Sequence, residues 1–149
     1  MKLIFLGTRG YIEPSNRRHR RHTACHIMYR GKGAVIDCGE NWRGRLAELN
    51  PKALLITHGH PDHVGGLADG APCPVYATAP TWAKIEDYPI ERRHVIEPRK
   101  PFSVRGITWE AFTVQHSTHA PAVGYRITGG RATVFYVPDL VYLHDRAAA

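Results

Sequence analysis

Thr57-His58-Gly59-His60-Pro61-Asp62-His63-Val64-Gly65-Gly66 follows directly on the apolar run Ala53-Leu54-Leu55-Ile56, and this junction decides the fold. An apolar run entering a polar stretch punctuated by Gly and Pro reads as a buried strand that stops abruptly, leaving the polar residues on the loop at its C-terminal end. An α/β layer keeps its site there. His58 and His60 are two apart, so on an extended chain both rings point to one side and can share a metal ion. Pro61 then turns the chain and directs Asp62 and His63 elsewhere, where a second ion beside the first gives both sets a purpose. The spacing predicts a dinuclear site. A solvated His-rich loop, or core imidazoles bonded to backbone, is the competing reading of any single histidine; the pattern of four in this strand-to-loop context favours metal.

The remainder of the chain is consistent with one domain over residues 1–149, long enough for a moderate core. Hydrophobic residues make up 43% and charged residues 22%, with Pro and Gly spread through turns, which excludes wholesale disorder. No run reaches the length of a membrane span, and Met1-Lys2-Leu3-Ile4-Phe5-Leu6-Gly7 is too short for a signal-peptide core, so a cytoplasmic protein is expected. Cys25, Cys38 and Cys73 are widely spaced and odd in number, without the paired C-x-x-C spacing of a structural zinc or redox centre. Reduced thiols are expected, Cys25 and Cys38 in the core and Cys73, between two prolines, in an exposed turn.

Much of the net charge of +7 is local: Arg17-Arg18-His19-Arg20-Arg21-His22 places four arginines in six residues. Such a block is either a solvated loop or the electrostatic footprint of a phosphate-rich partner. It sits in a long connection, from Gly7-Thr8-Arg9-Gly10 to about His22, of a length that compact domains keep for function or mobility. Interleaved aromatics are lacking, so base stacking by this stretch is not supported.

Hydrophobic patterning predicts a first strand over 2–6 and a hairpin of residues 24–29 and 34–38 around Arg30-Gly31-Lys32-Gly33. Asn41 is placed to cap a helix presenting Trp42, Leu46 and Leu49 on one face before Asn50-Pro51. A short helix near Val64 and Leu67, a strand over 74–77 and a helix over 81–88 with Pro80 near its start come next. From His94 the pattern is of strands, with Arg105-Gly106 and Gly129-Gly130 as hairpin turns. Helices among mostly antiparallel strands imply an α/β layered domain.

Two later strands end as the first does. Val114-Gln115 runs into His116-Ser117-Thr118-His119, and Val134-Phe135-Tyr136-Val137 runs into Pro138-Asp139-Leu140. With all three strand ends at one edge, His116 completes a His₃ set with His58 and His60, Asp139 bridges two ions, and Asp62 and His63 remain for the second. Asp139 as the cap of a helix beginning at Leu140 is the alternative.

On these residues, together with Phe5-Leu6-Gly7-Thr8-Arg9-Gly10, Val35-Ile36-Asp37-Cys38-Gly39 and Gly124-Tyr125, the chain resembles the metallo-β-lactamase-fold hydrolases. Within them it looks most like the branch of ribonuclease Z and the phosphoribosyl cyclic phosphodiesterases. The resemblance implies an αββα sandwich, apparently lacking much of its C-terminal half, since members of the family continue into a second half that supplies a final histidine. It implies two zinc ions (Zn2+, with Mn2+ or Fe as other occupants), held by His58, His60 and His116 and by Asp62 and His63, with Asp139 bridging. Asp37 matches the buried aspartate that orients the ligand loop. His144 is the one histidine downstream and reads as a surface residue.

The function implied is hydrolysis of a phosphodiester, in DNA, RNA or a small molecule, by a zinc-bound hydroxide, with Asp62 also placed to accept its proton. Arg17, Arg18, Arg20 and Arg21 suit the non-bridging phosphate oxygens by their fork geometry; His119 either touches the leaving group or, the favoured reading, is an exposed loop bystander. A thioesterase or lactamase-like hydrolase, and a non-catalytic nucleic-acid-binding or assembly module with a vestigial metal site, are the alternatives. An open sheet edge invites homo-oligomers.

Overall fold

A computed structural model describes residues 1–11, 15–117 and 119–142. Two sheets carry the chain. The first has six strands in the order β1 (Lys2–Gly7), β2 (Ala24–Tyr29), β3 (Lys32–Ile36), β4 (Leu54–Leu55), β5 (Val75–Thr78) and β6 (Arg93–Ile96). The second runs β10 (Ala132–Tyr136), β9 (Ala122–Gly129), β8 (Ile107–Val114), β7 (Phe102–Val104). The second sheet and β1–β3 are antiparallel, as the hairpin signals predict, but β3 through β6 pair in parallel. The parallel half comes from crossovers through short helices, a long-range pairing that local patterning does not encode.

Alternation along the central strands assigns the two cores. Ala24, Val35, Leu54, Ile56, Val75 and Ala77 face a helical layer that contributes Trp42, Leu46, Leu49, Val64, Leu67, Trp82 and Ile85. Cys25, Ile27, Ala34, Ile36, Leu55 and Ile96 face the second sheet and meet Trp109, Ala111, Val123, Tyr125 and Ile127. Trp109 and Tyr125 pack edge to face at 6.1 Å. These are three of the four layers of an αββα sandwich; no helix covers the outer face of the second sheet among the described residues. There Phe112 lies under the guanidinium groups of Arg99 and Arg126 instead.

The helices differ in detail from the sequence reading. A single helix capped by Asn41 does not form: residues Glu40–Trp42 make a 3-10 turn and α1 spans only Leu46–Leu49. Gly44 at φ +69° separates them, and Asn41 instead uses its side-chain oxygen to accept from the His22 amide. α2 spans Pro61–Val64, directly followed by a 3-10 turn at Gly65–Leu67. α3 runs Ala79–Lys84, earlier than predicted, because Pro80 sits in its first turn after Thr78. No helix begins at Leu140; Tyr142 instead pairs with Gln115. Cys73 is buried in the helical core at 4% exposure, correcting the exposed turn expected from its flanking prolines. The three cysteines are free and buried.

Three two-residue turns close the hairpins: Arg30-Gly31, Arg105-Gly106 and Gly130-Arg131. They lie at one end of the sandwich. β3, β8 and β10 run from these turns toward Asp37, His116 and Asp139, so the polar strand ends gather at the opposite end.

Candidate metal centre

β4 is two residues long, and the segment leaving it, Ile56-Thr57, is held by a bond that continues the β4–β5 ladder and by bonds from the second sheet. Ile56 donates its amide to Tyr76 O, and its carbonyl accepts from the buried Tyr125 hydroxyl at 2.7 Å. Thr57 O accepts from the Val123 amide at 3.0 Å. Two bonds therefore tie this strand end to the second sheet, the sheet that carries His116.

Asp37 is fully buried at φ +59°, in the left-handed region that Asp tolerates better than most residues. Its Oδ1 accepts the Thr57 amide at 2.8 Å; its Oδ2 accepts the Thr57 hydroxyl and lies 2.8 Å from His63 Nδ1. Because that hydroxyl gives its proton to Asp37, it can only accept from His58 Nδ1, 3.1 Å away. His58 is set in the tautomer that carries its proton on Nδ1, leaving Nε2 for the site, and Asp37 likewise fixes the Nδ1 proton of His63. Thr57 has no signal of its own in the sequence beyond its position before His58.

The facing atoms form two sets. His58 Nε2 lies 3.0 Å from His60 Nδ1, which lies 3.2 Å from His116 Nε2. The donor atoms of His58, His60 and His116 all fall within 4.8 Å of one another, as do those of His58, His63 and Asp139. Asp139 Oδ2 sits between the sets, 2.9 Å from His63 Nε2 and 3.6 Å from both His58 Nε2 and His116 Nε2. Asp62 stands at the margin, its Oδ2 3.4 Å from His63 Nε2. His63 turns inward with the others rather than away from them: its ring centroid is 4.2 Å from that of His58.

The protonation chemistry of the sets differs. Burial, reinforced by the neighbouring histidines His63 and His60, pushes His58 down from 6.5 to about 3, and burial, reinforced by His116, lowers His60. Burial opposes a charge on His63 too, but the carboxylates of Asp37, Asp139 and Asp62 outweigh it and raise that ring to about 12. His63 holds Asp139 below the usual carboxylate range; at Asp62 burial acts upward, and His63 more than offsets it.

These donors fit divalent cations. Three imidazoles whose donor atoms converge, two of them lowered in proton affinity by burial, match a nitrogen-rich zinc site. His63 Nε2 is buried without an aligned hydrogen-bond partner although Asp139 Oδ2 is 2.9 Å away. A buried polar atom left without an aligned partner is accounted for by an ion or a water held against it.

The basic loop rises beside this cluster. Arg9 and His22, at its two stems, form a parallel bridge, and Arg9 Nη2 lies 2.8 Å from His22 Nε2. A Cβ on Gly10 would sit 3.7 Å from Asp62 Oδ2, and one on Gly39 would collide with both Asp62 O and His22 Cβ. Arg17, Arg18 and Arg20 are exposed. Arg21 is not free for a partner: it bonds Glu48 at 3.1 Å and covers the Trp42 ring. His119 is exposed after its amide bonds Ser117 Oγ, and its ring has no bond or ion pair to the cluster among the described residues. His144 lies outside the described residues.

A family model described as a beta-lactamase superfamily domain matches residues 34–149. The chain belongs to the beta-lactamase superfamily. Similar superfamily proteins include the exodeoxyribonuclease WalJ of Streptococcus pneumoniae serotype 2 (strain D39), 32% identical over 134 residues, which are 78% of this chain and 49% of the relative. A ribonuclease Z of Methanococcus aeolicus is 38% identical over 73 residues, 46% of this chain and 22% of the relative. Human tRNase Z, short form, shares the fold with a TM-score of 0.65 at 19% identity, over 97% of this chain and 72% of that one. The chain spans about half, or less, of the length of these curated relatives.

Proposed function

We propose that this superfamily member is a cytoplasmic metal-dependent hydrolase of phosphodiester bonds, with nucleic acid as its substrate. The observation that carries the reading is the convergence of donors from three separate strand ends, His58 and His60, His116, and Asp139, beside the stems of a loop in which Arg17, Arg18 and Arg20 are exposed. In this reading His58, His60 and His116 would hold one ion and His63 and Asp62 the other, with Asp139 beside both sets. Zinc suits the donors, and manganese and iron accept the same types. Bound there, the ions supply Lewis acidity and a hydrolytic nucleophile at neutral pH.

The chain's own residues do the rest. Asp37, directly and through Thr57, holds the rings of His63 and His58 with Nε2 toward the site. Asp62 accepts a proton at Oδ2. Arg17, Arg18 and Arg20 hold non-bridging phosphate oxygens, while Arg21 anchors the loop to Glu48 and Trp42. Nuclease names among the relatives support this substrate class. Self-association through the open edge β1, where Phe5 is 60% exposed beside Tyr136, belongs to the same reading.

The test is turnover of bis(p-nitrophenyl) phosphate by metal-loaded protein, with His58→Ala as the inactive control. Replacing Arg17, Arg18 and Arg20 by Gln leaves that turnover intact but lowers the log–log salt slope of oligonucleotide binding by roughly 2 to 3. Equal slopes remove the loop from the substrate site. Turnover of a thioester or lactam but no phosphodiester replaces the reading altogether.

A further inference from the structure

The hairpin end of the sandwich holds a second concentration of positive charge, remote from the candidate metal centre. Each of its three two-residue turns carries one arginine: Arg30, Arg105 and Arg131. Lys32 follows the first turn, and Lys2 opens β1 at the same end, paired with Met28. All five side chains are exposed. No Asp or Glu occurs in residues 28–33, 102–108 or 127–133. None of the five is in an ion pair among the described residues.

The turns form one face. A Cβ on Gly130 would meet the Tyr29 hydroxyl, and one on Gly106 would touch the Lys32 side chain at 3.9 Å, so the first-sheet turn abuts both second-sheet turns. Arg30 lies over the Tyr29 ring at 5.2 Å. Backbone geometry supplies an independent sign. Arg30 at φ 49° and Arg105 at φ 57° occupy left-handed positions that hairpin turns of this kind fill with Asn, Asp or Gly. Arginine at two such positions breaks a local rule, which turns attention from folding to function.

We propose that this face binds the phosphodiester backbone of a nucleic acid at a distance from the point of cleavage. The nucleic-acid identity rests on the substrate reading above; the face itself does not. Arginine rather than lysine at all three tips favours forked contacts to phosphate oxygens. A membrane surface fits less well, because the exposed large hydrophobic residues that would insert (Phe5, Tyr11, Val95, Leu140, Val141, Tyr142) all lie outside these turns. The eight residues of β8 separate the face from His116 by about 25 Å. That distance is about eight nucleotides of a duplex strand. A long substrate reaches both ends of the molecule, and a short one does not.

The test replaces Arg30 and Arg105 by Asn, which suits the left-handed backbone, and Arg131 by Gln; the thermal midpoint of this variant stays level or rises. Binding of a fluorescein-labelled strand of about 30 nucleotides is followed in EDTA, so that cleavage does not enter. The variant binds about tenfold more weakly at low salt, and its log–log salt slope falls by roughly 2 to 3. Metal-loaded turnover of bis(p-nitrophenyl) phosphate is unchanged. Equal affinity and slope in wild type and variant overturn the inference and leave the hydrolase reading standing. Capture of wild type by phosphatidylserine vesicles but not by the oligonucleotide overturns it as well, in favour of a lipid surface. Absence of any turnover, with the binding difference intact, sinks the hydrolase reading alone.

Discussion

The two donor sets share one end of the sandwich but are built on opposite principles. His58, His60 and His116 are imidazoles alone, and burial lowers the proton affinity of the first two. His63, Asp62 and Asp139 form a charged cluster in which buried His63 carries a proton among three carboxylates, counting Asp37. In the metal-free protein that proton supplies the positive charge the carboxylates require. Displacement of one sheet against the other reaches both sets, through His116 in the first and Asp139 in the second. The second is vulnerable to loss of a single charge.

Removing that charge is expected to have the largest effect. His63→Ala leaves Asp37 buried and uncompensated, a loss of about 3–5 kcal/mol for a broken buried pair. Urea unfolding in EDTA measures it, and a loss below about 1 kcal/mol would show that Asp37 is served well enough by Thr57 alone.

The pH profile of the metal-free protein separates the sets without a mutation. His63 is raised from 6.5 to about 12, so the folded state binds the extra proton between those values; its contribution is complete below pH 6.5 and declines as pH climbs. His58 is depressed to about 3, so its neutral burial favours the fold above 6.5 and costs stability as pH falls toward 3. The two limbs predict a maximum thermal midpoint near pH 6.5, the unfolded value common to both rings. A midpoint still rising between about pH 7 and 9 contradicts the charged state assigned to His63.

Tyr125→Phe addresses the registry of the sheets. It leaves the buried Ile56 carbonyl without its partner, at about 1–3 kcal/mol, and lowers metal retention by both sets, since each draws a donor from the second sheet. Metal content by mass spectrometry, with binding isotherms, checks it; unchanged retention at that loss of stability makes the tyrosine a general core residue. His116→Ala is expected to change stability least, within about 0.5 kcal/mol, because the ring is partly exposed. It nevertheless removes one metal equivalent. A large loss of stability with metal retained would reverse the roles assigned to the two sets.

What local sequence conveys about this molecule is uneven for identifiable reasons. Arg105-Gly106 and the run after Arg30 declare hairpins because turn chemistry is contained in two residues. His58, His60, Asp62 and His63 stand out because their spacing is itself the pattern. The parallel pairing of β3 through β6 joins residues far apart in sequence and leaves no local trace. Asn41 misleads because Gly44 breaks the segment after it, and Cys73 because flanking prolines describe a turn without saying how deep it lies. Arg21 resembles its neighbours in the sequence; only the positions of Glu48 and Trp42 set it apart. Thr57 and Tyr125 act through atoms that composition cannot distinguish from ordinary core polar groups.

The left-handed backbone of Asp37 bears on what a library of variants can recover. Glycine fits the backbone but provides no acceptor for Thr57 or His63. Asparagine fits as well, yet its amide must place a donor where the carboxylate accepts. If that donor faces His63, the imidazole has to move its proton to Nε2, the atom directed at the site. Alanine and the branched residues lose on both counts. A saturation screen at this codon selecting for metal retention should therefore return the parent residue almost alone, whereas the codons of the exposed loop arginines would drift one at a time.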